Sequence, residues 1–258
     1  MRVVISAGGT GGHIYPALAI INKIKEMEPN SEFLYIGTTN RMEKDLIPSM
    51  GYRYEGIEVT GFKRKLTLDN FKTITNFLNA IKRCKIIIKD FDPDIVIGCG
   101  GYVTAPVIYA AKKLGKKTFI HEQNSVVGLA NKFLARYTDK IGVSFESTIK
   151  DFPKGKAILT GNPCSEKALS IKKTTKEKLD IAKDKKLVLI VMGSLGSRTI
   201  NDKIFSFIDK FRSKNYSVII VTGNSYYERV KDKRVPSNVK VLPFIYEMPS
   251  VMKITDLM

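Results

Sequence analysis

Short apolar runs alternate with longer segments of helical periodicity along most of the chain. The apolar runs predict strands at Arg2–Ser6, Phe33–Ile36, Asp94–Gly98, Thr118–Ile120, Lys140–Val143, Ala157–Leu159, Leu187–Met192, Ser217–Val221 and Val239–Leu242. Helical spacing of apolar residues predicts helices at Tyr15–Glu28, Asn70–Lys89, Tyr102–Leu114 and Thr199–Phe211. Several strand runs are apolar throughout, which is typical of parallel strands covered by helices on both faces. The alternation therefore predicts a doubly wound α/β fold.

A polar, lysine-rich stretch between residues 162 and 186 separates two series of predicted strands. A new series with its own glycine-rich turn begins after this stretch. We therefore predict two α/β domains, residues 1–163 and 164–258. The last four residues have the pattern of a further strand, so the second domain is expected to be incomplete.

The charge balance favours anionic partners. Lys and Arg number 43 against 25 Asp and Glu, which gives a net charge of +18. Such a chain attracts polyanions such as nucleic acid, anionic lipid or phosphorylated substrates, although many of these lysines could be ordinary solubilising residues. Since no nucleic-acid-binding motif is recognisable, nucleic acid is not the expected partner.

Cysteine usage and hydropathy indicate the compartment. The chain has three cysteines and two histidines, and the cysteines are far apart with no CxxC pair. This pattern disfavours a disulfide framework or a zinc site and fits a reducing cytosol. Because no run of about 18 apolar residues occurs, and the amino terminus lacks the apolar stretch of a signal peptide, we expect neither a transmembrane helix nor a signal peptide.

Three glycine-rich turns follow predicted strands, at Gly8–Gly12, Gly98–Tyr102 and Gly193–Ser197. Glycine lets the backbone approach a ligand closely, and a following helix offers free N–H groups and the positive end of its dipole. The first turn has neither the G-x-G-x-x-G spacing nor the G-K-[ST] ending of a P-loop, which disfavours a nicotinamide dehydrogenase or a nucleoside triphosphatase. Because open α/β sheets bind ligands at the carboxyl ends of strands, we predict phosphate or diphosphate binding. A tight turn without a ligand is the alternative.

A polar segment, His121–Asn124, also follows a predicted strand. Together with the glycine-rich turns it resembles the MurG family of glycosyltransferases. The resemblance extends over essentially the whole chain and rests on the order and approximate spacing of Gly8–His13 with Pro16, Gly100–Tyr102, His121–Asn124, Gly161–Pro163 and Gly193–Gly196. It implies a GT-B fold, in which two Rossmann-like domains face a cleft. It also implies a C-terminally truncated chain, because the family continues past the position that matches Met258.

The resemblance implies an activity and a set of contacts. The expected reaction is the inverting transfer of N-acetylglucosamine from UDP-N-acetylglucosamine to undecaprenyl-diphosphate-linked N-acetylmuramyl pentapeptide, from lipid I to lipid II in peptidoglycan synthesis, without a cofactor. The N-terminal domain would bind the acceptor and the C-terminal domain the donor. Positions that match acceptor-diphosphate contacts are Gly8, Gly9, Gly100, Gly101 and Tyr102. Positions that match substrate contacts, mainly to the donor, are Thr10, Gly11, Gly12, Asn124, Ser165, Ser194 and Ile245.

One of these positions departs from the family pattern. The family has an arginine two residues after Gly-Asn-Pro, where this chain has Ser165. An arginine can pair bidentately with a diphosphate and a serine cannot. The contribution of this position to diphosphate binding is therefore in doubt.

Two residues are candidate bases for the acceptor hydroxyl. An imidazole titrates near neutral pH, so His13 is the first candidate, and ordering of the glycine loop is its alternative role. Glu122 is the second candidate, and a structural hydrogen bond is its alternative role. The negative charge on the leaving UDP would be stabilised by N–H groups near Ser194.

No metal is expected. Asp90, Asp92 and Asp94 form overlapping D-x-D patterns, but they precede a strand instead of following one. They therefore fit a helix end and a turn that Pro93 enforces.

A membrane contact is also expected. The basic segment Phe62–Lys65 precedes an amphipathic helix that carries Phe71, Ile74, Phe77, Leu78, Ile81 and Ile88 beside Lys72, Lys82, Arg83, Lys85 and Lys89. Apolar residues beside basic ones suit an anionic lipid surface, although the apolar stripe is more simply a face packed on the sheet. We expect peripheral attachment to the cytoplasmic face of the bacterial cell membrane.

Two other hypotheses for the function remain open at this point. Another GT-B enzyme, such as a lipid glucosyltransferase or a UDP-sugar epimerase, would share the fold. A non-catalytic lipid- or polyanion-binding remnant would share the charge.

Overall fold

The structure is a computed structural model that describes residues 1–59, 69–192 and 196–258, without the side chains of residues 69–72 and 167. The chain divides into two compact units, Met1–Ser165 and Glu166–Met258. Each unit is an α/β sandwich around its own parallel sheet. Among the described residues, no helix is long and apolar enough to cross a bilayer.

Unit 1 is built on a seven-stranded parallel sheet in the order β3-β2-β1-β4-β5-β6-β7, as far as its residues are described. Its strands are β1 Arg2–Ser6, β2 Glu32–Thr38, β3 Arg53–Ile57, β4 Ile95–Gly98, β5 Lys117–Glu122, β6 Lys140–Val143 and β7 Ala157–Leu159. Its helices are α1 Gly11–Met27, α2 Glu43–Ser49, α3 Asp69–Phe91, α4 Thr104–Lys113 and α5 Leu129–Leu134, and α6 Cys164–Ser170 begins at its end. The strand order reverses between β1 and β4, so the switch point of the sheet lies there.

Helices cover both faces of this sheet. Along β1, Val4 packs into one buried cluster with α3 and α4, whereas Val3 and Ile5 pack into the other with α1. Because successive side chains of a strand point to opposite faces, a strand that is apolar at every position needs two covering layers. The pattern that predicted a parallel sheet therefore has its physical cause in these two cores.

Unit 2 has, in its described part, a three-stranded parallel sheet in the order β10-β9-β8. Its elements are β8 Lys186–Val191, α7 Arg198–Ser206, β9 Tyr216–Val221, α8 Asn224–Val230, β10 Val239–Leu242 and α9 Met248–Met252. The last residues pair with β8 as the start of a further strand would: Leu257 forms an isolated parallel bridge with Val188. The Leu189 N–H donates to the Leu257 carbonyl oxygen at 2.8 Å, and the Asp256 and Leu257 N–H groups donate to the Leu187 carbonyl oxygen at 2.9 and 3.2 Å.

The nine predicted strands are all present, and the misses are short elements with weak patterns. Strand β3 was missed because its one buried residue is Ile57 at the end of an otherwise half-exposed edge strand. The helix predicted at Thr199–Phe211 is instead α7 followed by a 3₁₀ turn, Ile208–Phe211. The short helices α2, α5, α6, α8 and α9 were not predicted, since five to seven residues give little periodicity.

Candidate functional site

The glycine-rich loops after β1 and β4 meet at the switch point of unit 1. The Gly8 N–H donates to the Gly100 carbonyl oxygen at 3.3 Å, and the Cys99 N–H donates to the Ser6 carbonyl oxygen at 2.8 Å. Gly101 has a φ of +89°, and a Cβ there would overlap the Gly8 carbonyl. The two loops therefore approach as closely as they do because Gly101 lacks a side chain.

The first loop ends at the amino terminus of α1. Thr10 is the N-cap residue in extended conformation, and its hydroxyl makes no capping hydrogen bond. The first N–H groups of a helix, here those of Gly11 and Gly12, have no partner within the helix. Together with the dipole of a 17-residue helix, these groups form a surface suited to an anionic oxygen.

His13 is fixed against this loop by its ring. Its Nδ1 lies 3.0 Å from the Gly8 carbonyl oxygen. A carbonyl can only accept, so Nδ1 carries the proton and donates, which leaves Nε2 as the basic nitrogen of the neutral ring. The Nε2 edge faces Gly100, where an added Cβ would come within 3.0 Å of Nε2. The Cδ2–Nε2 edge of the ring thus lies against the second glycine loop.

The Glu122 carboxylate is fully engaged beneath the loop that follows β5. Its Oε1 accepts from the backbone N–H and the side-chain amide of Asn124, at 3.0 and 2.8 Å. Its Oε2 accepts from the Gly128 N–H at 3.0 Å and from the Asn131 side-chain amide at 2.9 Å. The side chain is 1% exposed. Both carboxylate oxygens are occupied by protein donors in the core, so this geometry favours the structural alternative for Glu122.

Asn124 is exposed but held in place. Because its Nδ2 donates to Glu122, its Oδ1 is turned away from that carboxylate and can accept a hydrogen bond. A fixed amide oxygen at the carboxyl edge of a sheet suits a hydroxyl-bearing ligand.

His121 is a buried structural residue. Its Nε2 lies 3.0 Å from the Gly161 carbonyl oxygen and 3.1 Å from the Thr160 hydroxyl, so Nε2 carries the proton. Its Nδ1 is buried with no hydrogen-bond partner among the described residues. Burial lowers the pKa of His121 below its ordinary value of 6.5, because protonation would place an unpaired N–H in the core.

Sequence reasoning missed three buried polar residues that shape these loops. Glu43 accepts the Gly9 N–H at 3.3 Å. Thr104 donates its hydroxyl to the Gly100 carbonyl oxygen at 2.8 Å, and Asn131 donates to Glu122. Each is a single polar residue in or beside a helix with no motif around it, so no sequence signal marked it.

The remaining predicted site residues lie apart from these contacts. Tyr102 is 61% exposed beside the second glycine loop. Ser165 is exposed, and its N–H donates to the Asn162 carbonyl oxygen at 3.0 Å. Ile245 belongs to unit 2, where it is partly buried against the core. Ser194 lies outside the described residues.

The aspartates of the D-x-D patterns lie at the amino end of β4, on the opposite edge of the sheet from the glycine loops. Helix α3 ends at Phe91, and Asp92 turns the chain with a φ of +46°. Asp92 pairs with Lys116, and Asp94 accepts the Arg2 N–H at 2.7 Å. Asp92 and Asp94 thus have structural partners, and no cluster suited to a metal ion occurs in the described parts of the chain.

Comparison with protein families identifies the class. Residues 3–143 match the glycosyltransferase family 28 N-terminal domain, and residues 187–258 match the C-terminal domain of that family. The chain belongs to glycosyltransferase family 28, and its two units are the α/β domains of a GT-B glycosyltransferase.

Within this family the resemblance to MurG is confirmed. The chain is 48% identical over 262 aligned residues to the UDP-N-acetylglucosamine–N-acetylmuramyl-(pentapeptide) pyrophosphoryl-undecaprenol N-acetylglucosamine transferase 1 of Bacillus cereus. The alignment covers 100% of this chain and 72% of that relative.

Solved structures agree with this assignment. MurG of Acinetobacter baumannii superposes with a TM-score of 0.69 at 25% identity, over 99% of this chain and 71% of that one. The UDP-GlcNAc 2-epimerase of Neisseria meningitidis, bound to UDP-GlcNAc, superposes with a TM-score of 0.64 at 17% identity, over 99% and 76% of the two chains. The second likeness shows a shared fold.

Proposed function

We propose that this protein transfers N-acetylglucosamine from UDP-N-acetylglucosamine to undecaprenyl-diphosphate-linked N-acetylmuramyl pentapeptide, the step from lipid I to lipid II in peptidoglycan synthesis. The observation that carries the proposal is the contact of two glycine loops at the switch point, with His13 fixed beside them. The 48% identity to a relative named for this reaction supports it.

The acceptor diphosphate binds in this proposal to the glycine loops, at Gly8, Gly9, Gly100 and Gly101, with Tyr102 at their rim. The N–H groups of Gly8 and Gly9 already donate to Gly100 and Glu43, so these glycines let the diphosphate approach the backbone closely. The N–H groups at the start of α1, those of Gly11 and Gly12, supply donors. Of the donor contacts that the resemblance implies, Thr10, Gly11, Gly12 and Asn124 belong to unit 1 and Ile245 belongs to unit 2. Ser165 replaces the family's arginine and supplies a hydroxyl in place of a charge.

His13 is the base in this mechanism. Its Nε2 takes the proton of the acceptor hydroxyl while that oxygen attacks the anomeric carbon of N-acetylglucosamine. The bond from that carbon to the UDP oxygen breaks on the opposite face, so the configuration inverts. The Gly8 carbonyl stabilises the imidazolium that forms, because it already accepts the Nδ1 proton. Glu122 positions Asn124 and takes no proton.

The test is binding followed by turnover. A soluble prenyl-diphosphate N-acetylmuramyl pentapeptide is titrated into the chain by calorimetry, with inorganic pyrophosphate as competitor. Saturable binding that pyrophosphate displaces is expected, and no binding by the folded chain would refute the acceptor assignment. Transfer of labelled N-acetylglucosamine is then compared with transfer from UDP-glucose. A His13→Gln variant should keep acceptor binding and lose turnover about 10²- to 10⁴-fold. Equal turnover would exclude His13 as the base.

We also propose that helix α3 attaches unit 1 to the cytoplasmic face of the cell membrane. The structure corrects the expected apolar stripe. Ile81 and Ile88 are buried and Phe77 is partly buried, but Ile74 and Leu78 are 46% and 54% exposed. Phe71 and the basic segment 62–65 lie outside the described side chains.

The exposed face of α3 combines apolar and basic residues. Ile74, Leu78, Lys82, Lys85 and Lys89 recur three or four residues apart, which places them on one side of the helix. Two aliphatic side chains among lysines suit the interface of an anionic bilayer, where the apolar groups insert and the ammonium groups meet headgroups.

Vesicle sedimentation tests this attachment. Binding to phosphatidylglycerol vesicles should exceed binding to phosphatidylcholine vesicles and weaken with salt. The pair Ile74→Ser and Leu78→Ser should weaken partitioning about tenfold or more, since each substitution removes an insertable side chain. Ile158 is on strand β7 instead of α3 and is 50% exposed, so Ile158→Ser is the matched control. An equal loss in the control would contradict the assigned face.

A further inference from the structure

Glu43 is a buried carboxylate beneath the first glycine loop. It is 0% exposed and is the first residue of α2. Its Oε2 accepts the Gly9 N–H at 3.3 Å. Its Oε1 accepts the Thr38 N–H at 3.2 Å and the Thr38 hydroxyl at 2.7 Å. Within the described residues no lysine or arginine forms a salt bridge with it. These three hydrogen bonds therefore offset the free-energy cost of removing the carboxylate from water.

Two glycines leave the space that Glu43 fills. A Cβ on Gly8 would come within 2.5 Å of Glu43 Oε1, and a Cβ on Gly37 would overlap the Tyr54 hydroxyl oxygen and come within 2.8 Å of Glu43 Cγ. Gly8 is in the first glycine loop and Gly37 is in β2, so the carboxylate is packed between this loop and the neighbouring strand. This arrangement explains why both positions are glycine although neither has a positive φ.

Two tyrosines complete the polar layer around Glu43. Tyr35 donates its hydroxyl to the Ala7 carbonyl oxygen at 3.0 Å, one residue before the glycine loop. Tyr54 donates to the Thr38 carbonyl oxygen at 2.5 Å. The backbone of the loop is thus held from below at Ala7 by a donor and at Gly9 by an acceptor.

We infer that Glu43 is a positioning residue for the diphosphate site: it fixes the Gly9 N–H and thereby the orientation of the glycine loop that follows. Gly9 has a φ of +89°, a conformation that glycine adopts as readily as others, so the loop needs a restraint to stay in it. The inference rests on the proposed function, because it takes the Gly8–Gly12 loop as the phosphate-binding surface.

The Glu43→Gln variant tests the restraint with little change of shape. We expect the amide oxygen in the place of Oε1, because there it keeps both Thr38 donors, at 3.2 and 2.7 Å, whereas in the place of Oε2 it would keep only the 3.3 Å bond from Gly9. The amide NH₂ then faces the Gly9 N–H, and two donors cannot bond to one another. The variant therefore releases Gly9 while the strand side of the network is kept.

The experiment uses the full chain labelled with ¹⁵N-glycine. Amide exchange of Gly9 is measured by NMR, and inorganic pyrophosphate is titrated while the Gly11 and Gly12 amides are followed. In the parent chain, Gly9 should exchange more slowly than Gly12. In Glu43→Gln, Gly9 exchange should accelerate and pyrophosphate affinity should fall about tenfold, the equivalent of one hydrogen bond to a charged acceptor.

Controls separate positioning from stability. Glu55→Gln makes the same charge change at a partly exposed residue that pairs with Arg83 at 3.3 Å, and it should leave affinity unchanged. Thr38→Val removes one donor to Oε1 but keeps the Gly9 bond, so it should lower thermal stability without weakening pyrophosphate binding. If Glu43→Gln does not fold, Gly9 protection in the parent and affinity in Thr38→Val still decide the matter.

The outcomes are distinct. Unchanged affinity in a folded Glu43→Gln variant, or an unprotected Gly9 in the parent, overturns the role of Glu43 and leaves the proposed function intact. A parent chain whose glycine-loop amides do not respond to pyrophosphate overturns the diphosphate assignment, and this inference with it.

Discussion

Replacing Glu122 by glutamine is the substitution that most directly separates a structural carboxylate from a catalytic base. The side chain keeps its shape and loses only its charge and one acceptor. Of its four hydrogen bonds, two reach Oε1 from Asn124 and two reach Oε2 from Gly128 and Asn131. Glutamine retains one of these acceptor sites and turns the other into a donor.

The expected loss in the free energy of unfolding depends on which groups around residue 122 can reorient. We expect the amide oxygen to keep both Asn124 bonds, so that its NH₂ faces Gly128 and Asn131. Asn131 can rotate its amide so that its Oδ1, which is buried and has no partner in the described structure, accepts from the new donor. Its Nδ2 then gives up the 3.3 Å hydrogen bond to the His121 carbonyl oxygen, so the rotation exchanges one lost hydrogen bond for another. The Gly128 N–H cannot rotate, and one buried unpaired donor costs about 2 kcal/mol.

Urea unfolding measures this cost. The chain has no tryptophan, so far-UV circular dichroism follows the transition, and hydrogen exchange of residues 123–131 reports the loop itself. Glu122→Gln should lower the free energy of unfolding of unit 1 by about 2 kcal/mol. In an Asn131→Ala background, which removes the compensating oxygen, the cost should be larger. The Glu55→Gln control should stay within about 0.5 kcal/mol of the parent.

One pattern of results would refute a purely structural role for Glu122. If Glu122→Gln matched the parent in stability and in loop exchange but had no transferase activity, the carboxylate would be required for chemistry and not for the loop. Loss of activity in proportion to loop exchange is the result that we expect.

Three further predictions concern backbone and charge. Gly101→Ala should destabilise unit 1 by more than the ~1–2 kcal/mol of a left-handed residue, because its Cβ also overlaps the Gly8 carbonyl. Gly115→Ala, with a φ of +73° and open space, should show the strain alone in thermal unfolding. Burial lowers the pKa of His121 below 6.5, so the imidazole is protonated more readily in the unfolded chain than in the folded one. The free energy of unfolding should therefore fall as pH drops below about 6.5, and His121→Gln should make this dependence on pH weaker. Hydrogen bonds from Lys186 and a backbone N–H lower the pKa of Asp256 to about 2, so its stabilisation should be present above about pH 4 and lost as pH falls toward 2, and absent in Asp256→Asn.

The fold was predictable because its strands are buried on both faces. Continuous apolar runs such as β8 can only be covered by two layers, and that alone indicates a parallel sheet. Strand β3 escaped because it lies at the sheet edge, where polar residues such as Arg53 and Glu55 are tolerated. The helical periodicity of α3 was predicted correctly, but its apolar residues do not all pack on the sheet, since Ile74 and Leu78 are exposed. Periodicity alone cannot say where the covering layer ends.

The site was predictable only where the backbone itself binds. Glycines at strand ends mark such loops in the sequence, and the contact of Gly8 with Gly100 follows from the strand order. The side chains that hold the loops are not marked. Glu43 lies 34 positions from the Gly9 N–H that it accepts, and a lone glutamate at the start of a short helix is indistinguishable from a solvated one.

Glu43 and Glu122 share a property that explains why carboxylates, not amides, support these loops. An ionised carboxylate accepts up to about four hydrogen bonds and donates none. Irregular loops expose N–H groups that no ladder satisfies, so a single carboxylate can collect several of them without bringing a donor of its own. An amide brings two donors into the same space. Glutamine should therefore fail at both positions, because each carboxylate accepts from a backbone N–H group that cannot turn away, that of Gly128 at Glu122 and that of Gly9 at Glu43. At Glu43 the partners are the Gly9 and Thr38 N–H groups and the Thr38 hydroxyl, and neither N–H group can turn.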